Sequence, residues 1–277
     1  MFKNALKITG AIFYTIRPSA TFGACLLVAA AFKPQIDEWP TLALLLSCAF
    51  FGAAYCFLMN DIYDREKDLL NHKYRPIATG ELPLKTAVLI AVVFGILFLA
   101  LAFPFGWTVF GLAIVFILLA TFYSYFNFQS GFLANFIVAF IVSGTQWGVA
   151  IIKPEPYLIS MSLFLLFFTI PREMILDWLD IEGDKAHGKH SLAIKASQKR
   201  FNWIIVLFLL GSTAMLCFLL FTFRPPLISL LFFLGSGLMV WVSFLRFFDS
   251  ADRKNALFAV RSSHLTFAMI IIAMIFR

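Results

Sequence analysis

The sequence predicts an all-α membrane protein with nine transmembrane helices, and three observations carry that prediction. Hydrophobic residues make up 61% of the 277 and charged residues only 13%, against about 25% charged in soluble domains. Mean hydropathy is +0.90. The apolar residues also gather into runs that suit a bilayer, which takes about 20 residues to cross as a helix. Nine such runs occur, at roughly 8–32, 40–60, 84–104, 106–126, 131–152, 156–176, 201–222, 226–247 and 255–276.

Breakers separate several of these runs: Lys33-Pro34, Phe103-Pro104, Lys153-Pro154-Glu155-Pro156 and Arg224-Pro225-Pro226. The first run is interrupted by Arg17-Pro18 and is longer than the apolar stretch of a cleavable signal. Gly144 and Gly148 have the spacing that lets two helices approach closely. Cys25, Cys48, Cys56 and Cys217 lie in apolar runs without metal-ligand spacing, so we read them as reduced packing residues. The net charge of +7 has no basic domain to carry it, which excludes nucleic acid as a partner and points to membrane topology. With the N-terminus in the cytoplasm, 15 Lys and Arg fall on the cytoplasmic side and 4 on the other. That bias predicts an integral protein of a bacterial or archaeal-type cell membrane, with the polar stretches 61–83 and 177–200 facing the cytoplasm.

Those two stretches open on matching acidic motifs. Asp61, Asp64 and Asp68 follow the second apolar run at spacing i, i+3, i+7. On one continuous helix they would share a face, within an arc of about 60°. Each recurs 116 positions later, as Asp177, Asp180 and Asp184 after the sixth run. The repetition predicts one domain over 1–277 built from an internal duplication, with both halves serving a shared site. Anions on one face repel unless cations neutralise them. Carboxylates, with the neutral carbonyl of Asn60, suit a hard ion such as Mg²⁺ that completes its shell with phosphate. The pattern therefore points to Mg²⁺ ions bridging a diphosphate.

Cations accompany the acids. Lys73 and Arg75 follow the first motif, and Lys185 and Lys189 follow the second. They suit diphosphate oxygens as well as they suit topology. Arg172 lies inside a span one turn before Asp177 and needs an anionic partner, either substrate phosphate or the triplet. Arg17 either lines the cavity or snorkels to the interface. His72, His187 and His190 have no zinc spacing.

These residues resemble the UbiA-type intramembrane prenyltransferases. Asn60, Asp61, Asp64 and Asp68 match that family's Asn-Asp-x-x-Asp-x-x-x-Asp signature without a gap. Arg75-Pro76-Ile77-Ala78-Thr79-Gly80 is similar to its Arg-Pro-Ile-x-x-Gly segment, and Asp180 and Asp184 to its Asp-x-x-x-Asp signature. Arg17-Pro18 and Tyr123-Ser124 also fit. The stretch Asp180-Ile181-Glu182-Gly183-Asp184, with Gly188 and Leu192, is similar to the lipid-ether, homogentisate and chlorophyll branch. One departure stands out: no Lys or Arg follows Tyr123 before Gln129, where many members carry one.

The resemblance implies a central cavity capped by the two polar loops and open sideways to lipid. It implies transfer of a prenyl group from a prenyl diphosphate to an aromatic or lipid-alcohol acceptor, with Mg²⁺ as cofactor. All six motif aspartates become catalytic, with Asn60, Asp64, Asp68, Asp180 and Asp184 as metal ligands. Asn60, Arg17, Lys73, Arg75, Tyr123, Arg172, Lys185 and Lys189 become substrate-binding. Aromatic residues, 17% of the chain, offer π faces to an allylic cation. A terpene cyclase on the same scaffold and a cation transporter are the competing readings. Chain length, acceptor and oligomeric state are not legible.

Overall fold

The computed structural model describes residues 2–70, 74–126, 131–186, 188 and 190–277. Lys73 and Lys189, with His72 and His187, lie outside the described residues, as do residues 127–129 at the end of the cation-free stretch. The described chain is all-α. It runs α1 (Phe2–Thr15), α2 (Pro18–Phe32), α3 (Trp39–Tyr63), α4 (Arg65–Leu70), α5 (Leu84–Ala102), α6 (Trp107–Phe126), α7 (Phe132–Ile152), α8 (Pro156–Leu179), α9 (Ile181–Ala186), α10 (Leu192–Lys195), α11 (Gln198–Phe223), α12 (Leu227–Asp249) and α13 (Arg253–Ile275). Among the described residues, eight helices are long and apolar enough to cross a membrane. A ninth span exists if the bent pair α1–α2 counts as one. The protein is an integral membrane protein.

The first span differs from the single helix expected over 8–32. Its two halves meet at 53°. Arg17 sits at the break with φ +48°, in the left-handed region, and Pro18 opens α2. The physical reason is local: a residue before proline is pushed out of the right-handed helix, and proline suits a first helical position. Thr21 donates from Oγ1 to the Ile16 carbonyl at 2.5 Å, which satisfies an acceptor freed by the break.

The sequence places the acidic motifs on loops, with each triplet on one continuous helix face. Both expectations change. α3 runs on to Tyr63 and α8 to Leu179, so Asp61 and Asp177 lie in final helical turns. The chain then bends at the middle aspartate and starts a short helix, α4 or α9.

The chain divides into two compact units, one holding α1, most of α2 and α3–α6, the other α7–α13 with the end of α2. In the first unit α3 packs on α5 and α6, and α1 touches α3. Gly52 permits this closeness: a Cβ there would lie 2.9 Å from the Phe98 ring. In the second unit α8 is the hub, packing on α7, α11 and α13. Of its apolar window 67% is buried, against 22% for α5 and α6, so α8 is screened by protein where those two face outward. This arrangement suits Pro171 inside α8, because neighbouring helices can satisfy what an interior proline disturbs. Phe168, Met174, Phe201, Phe244 and Phe247 build the core beside it. Close approach at Gly148 is not found, since the space around it is open. Many large aromatics, Trp107 and Phe221 among them, point outward, as lipid-facing bulk does.

Gly131 precedes α7 with φ +54° and ψ −128°, a region that side chains avoid. A Cβ there would also lie 3.1 Å from the His190 carbonyl oxygen, which is backbone and cannot swing aside. Gly131→Ala is expected to destabilise the fold by about 1–3 kcal/mol, read as a lower thermal midpoint in detergent. An unchanged midpoint would contradict this account.

Candidate active site

In the first unit the site is built around Asp61, whose side chain is 0% exposed. Arg17 donates from Nη2 to Asp61 Oδ1 at 2.7 Å. Its guanidinium also lies over the Phe57 ring, 4.8 Å from the centroid. The break in the first span therefore delivers a cation to the first motif. Of the two options for Arg17, this places it at the motif.

The second cation, Arg75, arrives through a turn. Thr79 N donates to the Arg75 carbonyl at 2.9 Å, and Leu82 N to that of Pro76 at 2.9 Å. Gly80 takes φ +80°, as this turn requires. Ile77 and Leu82 are buried with Ala11 and Ala87, anchoring the turn against α1 and α5. Arg75 Nε then lies 3.7 Å from Asp61 Oδ1 and 3.8 Å from Asp68 Oδ2. The sequence Arg-Pro-Ile-Ala-Thr-Gly is thus a folded device: apolar residues plug the turn and Arg75 covers the acids.

Asp64 is the bend itself, with φ −83° and ψ 2°. Its N–H donates to the Asn60 carbonyl at 2.9 Å, and its own carbonyl accepts from Asp68 N at 2.8 Å. Asn60 Nδ2 donates to Asp64 Oδ2 at 3.0 Å. Tyr63 packs edge-on against Tyr125 of α6, with ring centroids 5.8 Å apart. Tyr123, the residue singled out by sequence, is partly buried on the same helix.

The second unit repeats the bend. Asp180 takes φ −100° and ψ 8°. Its N–H donates to Leu176 at 3.1 Å, and its carbonyl accepts from Asp184 N at 2.9 Å. This near-zero ψ region is where many active-site residues sit. Asp184 is buried, Asp177 and Asp180 are partly exposed, and Lys185 is exposed on α9. Asp177 accepts from Asn135 Nδ2 of α7 at 3.0 Å. Sequence reasoning missed Asn135, although an amide within an apolar run, like Gln146 further along the same helix, is a readable signal.

Arg172 is not turned to the triplet. Its Nε donates to Ser263 Oγ of α13 at 3.1 Å, and its Nη1 pairs with Glu173. The anion beside it in the chain, not the motif, supplies its partner.

Among the described residues no three His, Cys, Asp or Glu converge into a closed metal cage. The donors that do exist are hard oxygens, among them those of Asp64 at the bend and of Asp68 in the short helix beyond it. This fits an ion such as Mg²⁺, which binds through one or two carboxylates and takes the rest of its shell from phosphate and water.

Comparison with known proteins agrees with this geometry. The digeranylgeranylglyceryl phosphate synthase of Sulfolobus acidocaldarius is 32% identical over 195 residues, which cover 70% of this chain and 66% of that relative, just under two thirds. A solved structure concerned with digeranylgeranylglyceryl phosphate synthase aligns with a TM-score of 0.75 at 20% identity, over 99% of this chain and 97% of that one. A UbiA homologue from Archaeoglobus fulgidus, solved with GPP and Mg²⁺, aligns with a TM-score of 0.67 at 19% identity, over 96% and 99%. The profile of the UbiA prenyltransferase family matches residues 20–270, nearly the whole chain. With both acidic bends in place and the family profile spanning them, the chain belongs to the UbiA prenyltransferase family.

Proposed function

We propose that this protein is a Mg²⁺-dependent intramembrane prenyltransferase that moves a prenyl group from a prenyl diphosphate to a lipid alcohol. The observation that carries the reading is the bend made twice, at Asp64 and at Asp180, each presenting carboxylates where an apolar helix ends. The Archaeoglobus homologue with GPP and Mg²⁺ supports the donor and the metal. The Sulfolobus relative, named for a glyceryl phosphate carrying prenyl chains, favours a lipid alcohol over an aromatic acceptor.

Asn60, Asp64 and Asp68 would hold metal in the first unit, and Asp180 and Asp184 in the second. Mg²⁺, when bound, neutralises diphosphate oxygens and stabilises charge on the leaving group. Arg17 and Arg75, with Lys73, Lys185 and Lys189, bind the remaining diphosphate oxygens. Tyr123 borders the substrate. The apolar helices exclude water from the allylic carbon, which would otherwise be quenched. The C–O bond to diphosphate breaks and the electron pair leaves with the diphosphate; the acceptor oxygen bonds to that carbon, and the acceptor hydroxyl gives up its proton to the released diphosphate or to water. The internal duplication, at an offset of 116 residues, explains why one chain carries two acid sets.

We place both triplets on the cytoplasmic side, on the strength of the Lys and Arg bias. Cysteines introduced at 73, 189 and 277 in a cysteine-free background test this with an impermeant thiol reagent on intact cells. Labelling at 277 alone is expected; labelling at 73 or 189 alone would overturn it.

Turnover tests the chemistry. Asp64→Ala or Asp180→Ala is expected to lower product formation by roughly a hundredfold or more while the detergent thermal midpoint holds, because each removes an acid from a self-repelling set. Full activity in either would refute the metal assignment. Arg172 remains in the proposal as a diphosphate contact that exchanges Glu173 for phosphate. Arg172→Ala should weaken a non-hydrolysable prenyl diphosphate analogue by about thirtyfold, the worth of one charge-assisted contact, and Arg172→Lys by less. Unchanged affinity would make Arg172 a tie between α8 and α13 only.

A further inference from the structure

We infer that Asp61 is a positioning residue and not a metal ligand: it aims Arg17 and Arg75, and these two guanidiniums take the diphosphate. The inference rests on the prenyl diphosphate reading above, and every residue in it belongs to the first unit.

Exposure orders the three side chains. Asp61 is 0% exposed, whereas Arg17 and Arg75 keep 29% and 22%. An anion arriving from the open side meets guanidinium first and carboxylate last. A metal ion on Asp61 would have to pass both cations.

Charge points the same way. Asp61 Oδ1 lies 2.7 Å from Arg17 Nη2 and 3.7 Å from Arg75 Nε. The charge of Asp61 is thus already engaged by two guanidiniums, and each guanidinium has more N–H donors than one shared carboxylate can use, which suits an anionic ligand. A Mg²⁺ ion on the same carboxylate would sit in close repulsion with both. Asp68, within 3.8 Å of Arg75, and Asp64 at the bend are the acids left to meet metal. Arg75 thus stands between the anchor and the metal-binding part of the motif.

Donor capacity is in reserve. Nε of Arg17 and Nε of Arg75 are buried without a hydrogen-bond partner among the described residues. Polar groups in this condition are uncommon and mark a site whose bonds are completed by something else. Arg17 is also held in a costly backbone conformation, φ +48°, with Phe57 beneath its guanidinium. Strain of this kind persists where surrounding contacts over-determine a residue, and it collects at functional sites. Asp61 is the contact that fixes the guanidinium at the far end of that strained residue.

The test separates the two roles of a carboxylate by its metal dependence. Affinity for a prenyl thiolodiphosphate is measured at saturating Mg²⁺, and the half-saturating Mg²⁺ concentration is measured with the analogue in excess. Asp61→Asn is expected to weaken the analogue by roughly thirtyfold with the Mg²⁺ requirement unchanged within about twofold, and added Mg²⁺ is expected not to restore it. Arg17→Gln should give the same signature, and it carries the test should Asp61→Asn fail to fold. Asp64→Asn should instead raise the Mg²⁺ requirement. A Mg²⁺ requirement raised in Asp61→Asn as in Asp64→Asn, or an affinity left unchanged in Asp61→Asn, would overturn the inference. Wild-type protein that does not bind the analogue would overturn the prenyl diphosphate reading beneath it.

Discussion

A carboxylate that is fully buried must be met by positive charge, and the first unit is arranged to meet that demand at Asp61. Breaking a fully buried ion pair by removing one partner costs about 3–5 kcal/mol; here the acid is fully buried and the two arginines are partly exposed. Arg17 reaches it because the first span breaks before Pro18. Arg75 reaches it because Ile77 and Leu82 plug a turn against α1 and α5. Remove the charge from Asp61 and Arg17 loses its carboxylate partner, while Arg75 keeps Asp68.

The second constraint is the bend. An aspartate at ψ near zero ends one helix and starts the next, so the acids before and after it need not follow the wheel of a single helix. The same device at Asp64 and Asp180, with the same backbone hydrogen bonds, gives each unit a short second helix that carries the last acid of its motif. In the second unit α8 bears this motif and is also the most buried span. A site on the best-packed helix is held more rigidly than one on a loop, which favours precise metal and phosphate geometry.

Much of this is legible in the sequence. Span number follows from apolar run length, which depends little on tertiary detail. Paired acids 116 residues apart, and the cations near them, are visible as residue types. What lies hidden is directional. The spacing i, i+3, i+7 fits a continuous helix as well as a bent one, so the bends at Asp64 and Asp180 are not readable from it. Arg17-Pro18 signals a break but not the partner 44 residues away. Glu173 is visible beside Arg172, yet adjacent helical residues do not usually face each other, which favours phosphate as the expected partner. Asn135 is easily overlooked because an amide carries no charge to stand out in an apolar run.

In the proposed reading, acids and arginines hold a diphosphate while its prenyl carbon meets an acceptor. The most direct measurement is product analysis by mass spectrometry, with purified protein, a prenyl diphosphate and a lipid alcohol, with Mg²⁺ and with a chelator. The account predicts a prenylated alcohol, with one diphosphate released per product, and only with Mg²⁺. Equal product under chelation, or a hydrocarbon or cyclic alcohol formed without consuming the acceptor, would contradict it.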